Sequence, residues 1–183
     1  MVNPFSTKFW ASGIIPFQFS ETGESVAGLL SKARRHPVCQ IVGPHGSGKS
    51  TLLWELLKCC ETSGENVRYF FFNGQQRRIP RDVSFQEDQF FFVDGFEQLS
   101  WCQQLWLRFR AKRLILTVHR PVWCVPILYR TKPQFSVFVR IVRQLVSNPP
   151  EESVLQTVYE RSAGNFRNAF FELYDLFTEP AIV

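Results

Sequence analysis

The sequence predicts an α/β fold in which helices cover both faces of a parallel sheet, and three observations carry that expectation. Four short runs, at 38–42, 67–72, 90–93 and 114–118, are largely apolar without alternating, as strands buried on both faces must be. Segments of helical periodicity separate these runs. The stretch IVGPHGSGKSTLLWELL, Ile41 to Leu57, joins a strand to a helix through a glycine-rich loop. A chain of 183 residues, 45% of them hydrophobic, has room for one domain with a sizeable core.

Taken in order, the chain opens with a Pro- and Phe-rich arm, NPFSTKFWASGIIPFQF, followed by a helix from about Glu24 to Arg34. Val38 to Val42 is the strand that enters the loop, and Ser50 to Cys60 is the helix that leaves it, with Leu52, Leu53, Leu56 and Leu57 on one face. Further strands are expected at Val67–Phe72, Phe90–Val93, Leu114–Val118 and Ile127–Thr131. Gly95 to Arg113 reads as the helix crossing from the third strand to the fourth, its apolar stripe supplied by Leu99, Trp101, Leu105 and Trp106. Helical periodicity returns at Phe135–Val146, Ser153–Ser162 and Phe166–Phe177, with Asn148-Pro149-Pro150 as punctuation. The expected organisation is an N-terminal arm and helix over 1–37, a core over 38–132 and a small helical lid over 133–183.

The net charge of +5 conceals an asymmetry: residues 1–150 carry 19 basic and 10 acidic side chains, and the remainder two and six. Arg77, Arg78 and Arg81, then Arg108, Arg110, Lys112 and Arg113, form basic clusters suited to nucleic acid, to an acidic partner or simply to a solvated face. Five cysteines without metal-ligand spacing suggest buried thiols rather than a disulfide framework or a zinc site. Apolar runs such as Phe90–Val93 fall far short of the roughly 20 residues that cross a bilayer. With no leader pattern at the N-terminus, the expectation is a cytoplasmic protein without membrane insertion.

Gly43-Pro44-His45-Gly46-Ser47-Gly48-Lys49-Ser50 fits G-x-x-x-x-G-K-[ST] between a strand and a helix, with Thr51 opening that helix. Glycines let successive backbone N–H groups turn inward, and the helix offers its positive end to the same phosphates. Lys49 would reach the β- and γ-phosphates and the Ser50 hydroxyl would ligate Mg²⁺. His45 lies in the variable part of the loop and is assigned no chemistry of its own. The third strand ends in Asp94, a carboxylate at the sheet edge where α/β proteins bind ligands, placed to hold a Mg²⁺-bound water. Glu97, three residues on, is placed to orient an attacking water. If the fourth strand lies between the first and third, Thr117 and His119 at its end are candidates to touch the γ-phosphate or its water, ahead of Arg120.

These parts, in this order, resemble the additional-strand P-loop ATPases, most nearly their AAA+-like branch. GPHGSGKST is similar to the Walker A motif, FFFVDGFEQL to Walker B, LILTVHRP to the sensor 1 strand and SAGNFRNAFFELYDLF to the sensor 2 helix. In this chain Gly95 and Phe96 separate the glutamate from the aspartate, whereas the family places them side by side. The resemblance implies a P-loop NTPase three-layer α/β/α fold with a small C-terminal lid. It also implies ATP and Mg²⁺ as ligands, Arg167 reaching over the nucleotide, and the arm around Gly13–Phe17 near the adenine. Homo-oligomerisation is a further implication, with Arg110, Arg113, Arg120 and Arg130 all open as the arginine given to a neighbour.

The leading function is a Mg²⁺-dependent ATPase switch, alternating between ATP and ADP, that acts on an unidentified protein or nucleic acid. A small-molecule or nucleoside kinase, with Arg77, Arg78 and Arg81 as its arginine-rich lid, and a regulatory ATP-binding module with little turnover are the alternatives. No NKxD motif supports a GTPase and no LSGGQ-like signature supports a transporter ATPase.

Overall fold

The computed structural model describes residues 3–10, 13–19 and 23–178. The outer ends of the expected arm and lid, and Ala11-Ser12 within the arm, lie outside the described residues. Five strands, β1 (Val38–Val42), β2 (Val67–Phe71), β3 (Phe90–Asp94), β4 (Arg113–Val118) and β5 (Ile127–Arg130), form one sheet in the order β2-β3-β4-β1-β5. All four pairings are parallel. The register opposes Val42 to Val118 and Phe71 to Asp94, so the loop after β1, the acid of β3 and the polar end of β4 emerge along one sheet edge.

Both sheet faces are covered, which makes this a three-layer α/β/α fold, consistent with a P-loop NTPase-like arrangement. On one face α2 (Val26–Ala33) and α3 (Lys49–Thr62) pack Leu29, Leu30, Leu52, Leu53 and Leu56 against Ile41, Phe90, Phe92 and Ile115. Ser25 caps α2 by accepting from the Gly28 N–H at 3.1 Å. The other face carries one helix of the core, α4 (Trp101–Arg110), with Phe91, Val93, Leu107 and Leu116 in its cluster.

Beyond β5, α5 (Phe135–Leu145), α6 (Glu152–Arg161) and α7 (Phe166–Thr178) enclose a third cluster built on Phe138, Val142, Leu155 and Phe170. Phe5 from the arm is fully buried in that cluster, and the short helix α1 (Thr7–Trp10) stacks Trp10 on Phe170 at 5.3 Å. Residues at opposite ends of the chain thus share one core. Among the described residues no helix is long and apolar enough to cross a membrane.

Two expectations are corrected here. The crossing helix does not run from Gly95 to Arg113: Gly95 is left-handed at φ 76, Phe96–Gln98 form a 3-10 turn, and Ser100 caps a new helix at Trp101. A Cβ on Gly95 would stand 2.3 Å from the Phe72 carbonyl oxygen, so the break requires glycine. The interruption changes the helical phase, leaving Leu99 and Leu107 inward and Trp101, Leu105 and Trp106 exposed. The cysteines are also not uniformly buried: Cys39 and Cys60 are, and burial pushes both thiols up to about 12, whereas Cys102 and Cys124 are exposed.

Candidate nucleotide site

The loop between β1 and α3 is shaped by what packs on it. Gly46 has φ 68, and a Cβ there would fall 1.8 Å from Asn165 Oδ1. Gly48 has φ 87, caps α3, and would bring a Cβ to 3.0 Å from the Phe17 ring. The loop glycines therefore admit the C-terminal helices from one side and the N-terminal arm from the other. Ser47 Oγ donates to the Pro44 carbonyl at 2.8 Å and shares a 2.6 Å hydrogen bond with Thr131 Oγ1 at the end of β5.

Lys49 is buried, and its ammonium donates to the Pro44 carbonyl at 2.7 Å. Burial lowers its pKa; the charges of Glu97 and Asp94 oppose that shift and Arg167 adds to it. One ammonium thus senses side chains from β3, the 3-10 turn and α7. Asp94 is buried and accepts a 2.5 Å hydrogen bond from Thr117 Oγ1, which itself accepts from the Gly95 N–H at 3.0 Å. Thr117, expected at the γ-phosphate or its water, has its hydroxyl committed to Asp94 and Gly95 and is 1% exposed. It positions the acid. Nearby, burial and the Asp94 charge raise the Tyr69 phenol, a neighbour that no sequence motif had marked.

The displaced Glu97 is returned to the loop by the 3-10 turn. His119 Nδ1 pairs with its Oε1, while its Oε2 is buried with no hydrogen-bond partner. Burial and then Lys49 lower the His119 pKa, with Glu97 pulling the other way. His45 stacks on His119 with ring centroids 3.7 Å apart. That contact gives His45 a place in the site that its position in the variable part of the loop did not suggest; nothing in the spacing of two distant histidines could have paired them.

A cleft of about 660 Å³ opens between the loop, the arm and the lid. Lys49, Ser50, Thr51, Asp94 and Arg167 lie at its polar end. Its apolar walls include Ile15, Pro16 and Phe17 of the arm and Phe166 and Phe170 of α7. The arm is fastened by the Phe17 N–H donating to Glu55 Oε1 at 2.5 Å. Gly13, the other end of the arm segment expected near the base, rests on Trp54 instead. Arg167 follows an Asn165 cap whose Oδ1 accepts from the Arg167 and Asn168 N–H groups at 3.1 and 3.4 Å. Glu172, farther along α7, pairs with Arg161 at 3.0 Å.

No protein-family model matches the sequence, and no curated protein matches it. Among solved structures the fold is similar to a chain in a structure of Drosophila ORC bound to DNA, at 15% identity and a TM-score of 0.40. The similarity covers 76% of this chain and 55% of that one, so this chain spans about half its length.

The residues fit a nucleotide triphosphate and a hydrated divalent cation. Ser50 and Asp94 offer hard oxygens on the same cleft, and Mg²⁺ characteristically takes one or two such protein ligands and completes its shell with water and phosphate. The unpartnered Glu97 Oε2 is a buried acceptor awaiting a donor. Glu97 and His119 do not themselves line the cleft, and neither do Arg77, Arg78 and Arg81, the cluster on which the kinase alternative rests. Arg120, the weaker candidate two residues beyond β4, is exposed and does not line it either.

Proposed function

We propose that this chain binds ATP with Mg²⁺ in the cleft between loop, arm and lid, and hydrolyses it as an AAA+-like switch acting on a macromolecular partner. The observation that carries the reading is that Lys49 and Ser50 of the loop, Asp94 of β3 and Arg167 of α7 line one cleft. Loop N–H groups and the N-terminus of α3 would bind the phosphates, and Lys49 would exchange its contact with the Pro44 carbonyl for the β- and γ-phosphate oxygens. Ser50 and Asp94 would hold Mg²⁺, which when bound neutralises charge on those oxygens. Thr117 would keep the Asp94 carboxylate aimed at the cleft through its 2.5 Å hydrogen bond.

Glu97 would use Oε2 to orient a water and accept its proton, while His119 holds Oε1 and His45 holds the His119 ring. Arg167, exposed on the first turn of α7, would close on the γ-phosphate and tell ATP from ADP. Phe17 and Phe170 would sandwich the base, with the arm and lid closing together because Phe5 and Trp10 tie one to the other.

A regulatory binder with little turnover is the second reading, favoured by the engagement of Glu97 with His119. Phosphate release from Mg²⁺-ATP, measured alone and with candidate small acceptors, separates the readings. Release to water that stops on removing Mg²⁺ is the expected result; tight binding with no release selects the binder, and transfer to an acceptor selects a kinase.

A further inference from the structure

We infer that α4 and the segment joining β2 to β3 form a docking surface for a single-stranded polynucleotide. This would supply the partner of the proposed switch and rests on that reading only for its purpose, since the surface lies outside the cleft. The helix, WCQQLWLRFR, buries only Leu107 among its ten residues. Trp101 is 72% exposed, Leu105 40% and Phe109 83%, recurring every four residues along one side of the helix, and Trp106, 43% exposed, lies three residues before Phe109. Scattered exposed apolar residues are ordinary, but this many gathered on one layer mark an interaction site.

The charges around these rings select the occupant. The helix has no carboxylate; Arg108 and Arg110 lie in its last turn, and Lys112 follows. Arg77, Arg78 and Arg81 reach the same layer on the segment joining β2 to β3. Gln103 of α4 meets that segment when its amide is turned to donate to the Arg77 carbonyl at 3.1 Å and accept from the Ile79 N–H at 3.3 Å. Phe85 of the segment meets Trp106 edge-on at 5.0 Å, and Arg110 lies over the Phe85 ring at 5.7 Å. Among the described residues none of these six cations has an ion-pair partner, and the three acids of the segment joining β2 to β3, Asp82, Glu87 and Asp88, follow its three arginines.

Rings interleaved with unpaired cations match the alternation of base faces and phosphates in a single strand, where stacking and charge act together. A duplex hides its base faces and would leave the rings idle. A peptide helix seeks a groove between two elements, whereas a lone helix presents a convex face.

Fluorescence anisotropy with a labelled short oligodeoxythymidylate, without nucleotide, tests the surface. We expect binding that quenches tryptophan emission and weakens with salt at a log-log slope of about −0.7 per phosphate contact. Trp101→Ala and Phe109→Ala should each weaken it roughly 5- to 150-fold. Reversing Arg77, Arg78 and Arg81 to glutamate should flatten the slope. Because these side chains are exposed, each variant should keep the wild-type melting temperature and ATP affinity. Four results would overturn the inference: no binding at low salt, equal binding of duplex of the same length, retained affinity in both ring variants, or capture of anionic vesicles or acidic peptide with no capture of the oligonucleotide. A protein that binds the oligonucleotide but not ATP removes the nucleotide reading and leaves the surface standing; the opposite outcome does the reverse.

Discussion

Glu97→Gln is expected to leave ATP affinity unchanged and to slow phosphate release roughly 10²- to 10⁴-fold, the range associated with a positioned general base. Glutamine is nearly isosteric, so its carbonyl can still accept from His119 Nδ1 where the glutamate Oε1 does now. What disappears is the negative charge and the capacity of the buried, unpartnered Oε2 to take a proton from water. A structural role alone would predict a lower melting temperature with turnover preserved. Single-turnover phosphate release at saturating ATP decides, and wild-type turnover in this variant removes Glu97 from the mechanism.

Arg167→Ala is expected to abolish most discrimination between ATP and ADP, by roughly 10- to 100-fold if one charge-assisted hydrogen bond to the γ-phosphate is lost. A cation in the first turn of a helix is opposed by the helix dipole by some 0.3 to 1 kcal/mol, so its placement in α7 calls for an offsetting anion. Among the described residues Arg167 forms no ion pair, and Glu172 is engaged by Arg161. The melting temperature without nucleotide should therefore hold or rise slightly, while hydrolysis is lost. A destabilised apo protein with ATP and ADP binding unaffected would make Arg167 a structural residue and leave the lid without its sensor.

Much of the scaffold was legible because burial on two faces leaves a plain signature: the runs around Ile41, Phe91 and Leu116 are apolar without alternation, and each is a central strand. Asp94 could be located because it ends such a run. Asn165 could be recognised as a cap because the glycine before it breaks the chain just ahead of a periodic segment. What could not be read depends on where a helix restarts or on which side chains meet through space. The four residues between Asp94 and Leu99 contain no proline, and helical periodicity runs through them on paper. Only the approach of the Phe72 carbonyl forces Gly95 left-handed, which shifts the phase and turns Trp101 and Trp106 outward.

Thr117 and His119 illustrate a second limit. Both end β4, and sequence position cannot tell a residue that touches substrate from one that holds another residue. The Thr117 hydroxyl is bonded to Asp94 and Gly95, and the pairing with Glu97 ties His119 to the glutamate. The union of arm and lid is equally invisible in sequence, since Phe5 and Phe170 are separated by nearly the whole chain before meeting in one core.

Equilibrium titration of wild type and Lys49→Ala with ATP in the presence of Mg²⁺ asks whether this cleft binds a nucleoside triphosphate through the loop. Lys49 is buried in the loop with its ammonium on the Pro44 carbonyl, a contact that bound phosphate is expected to replace. The account predicts saturable binding by the wild type and at least roughly tenfold weaker binding by the variant, the loss of a hydrogen bond to a charged group. No binding by the wild type, or equal affinity in the two proteins, would contradict it.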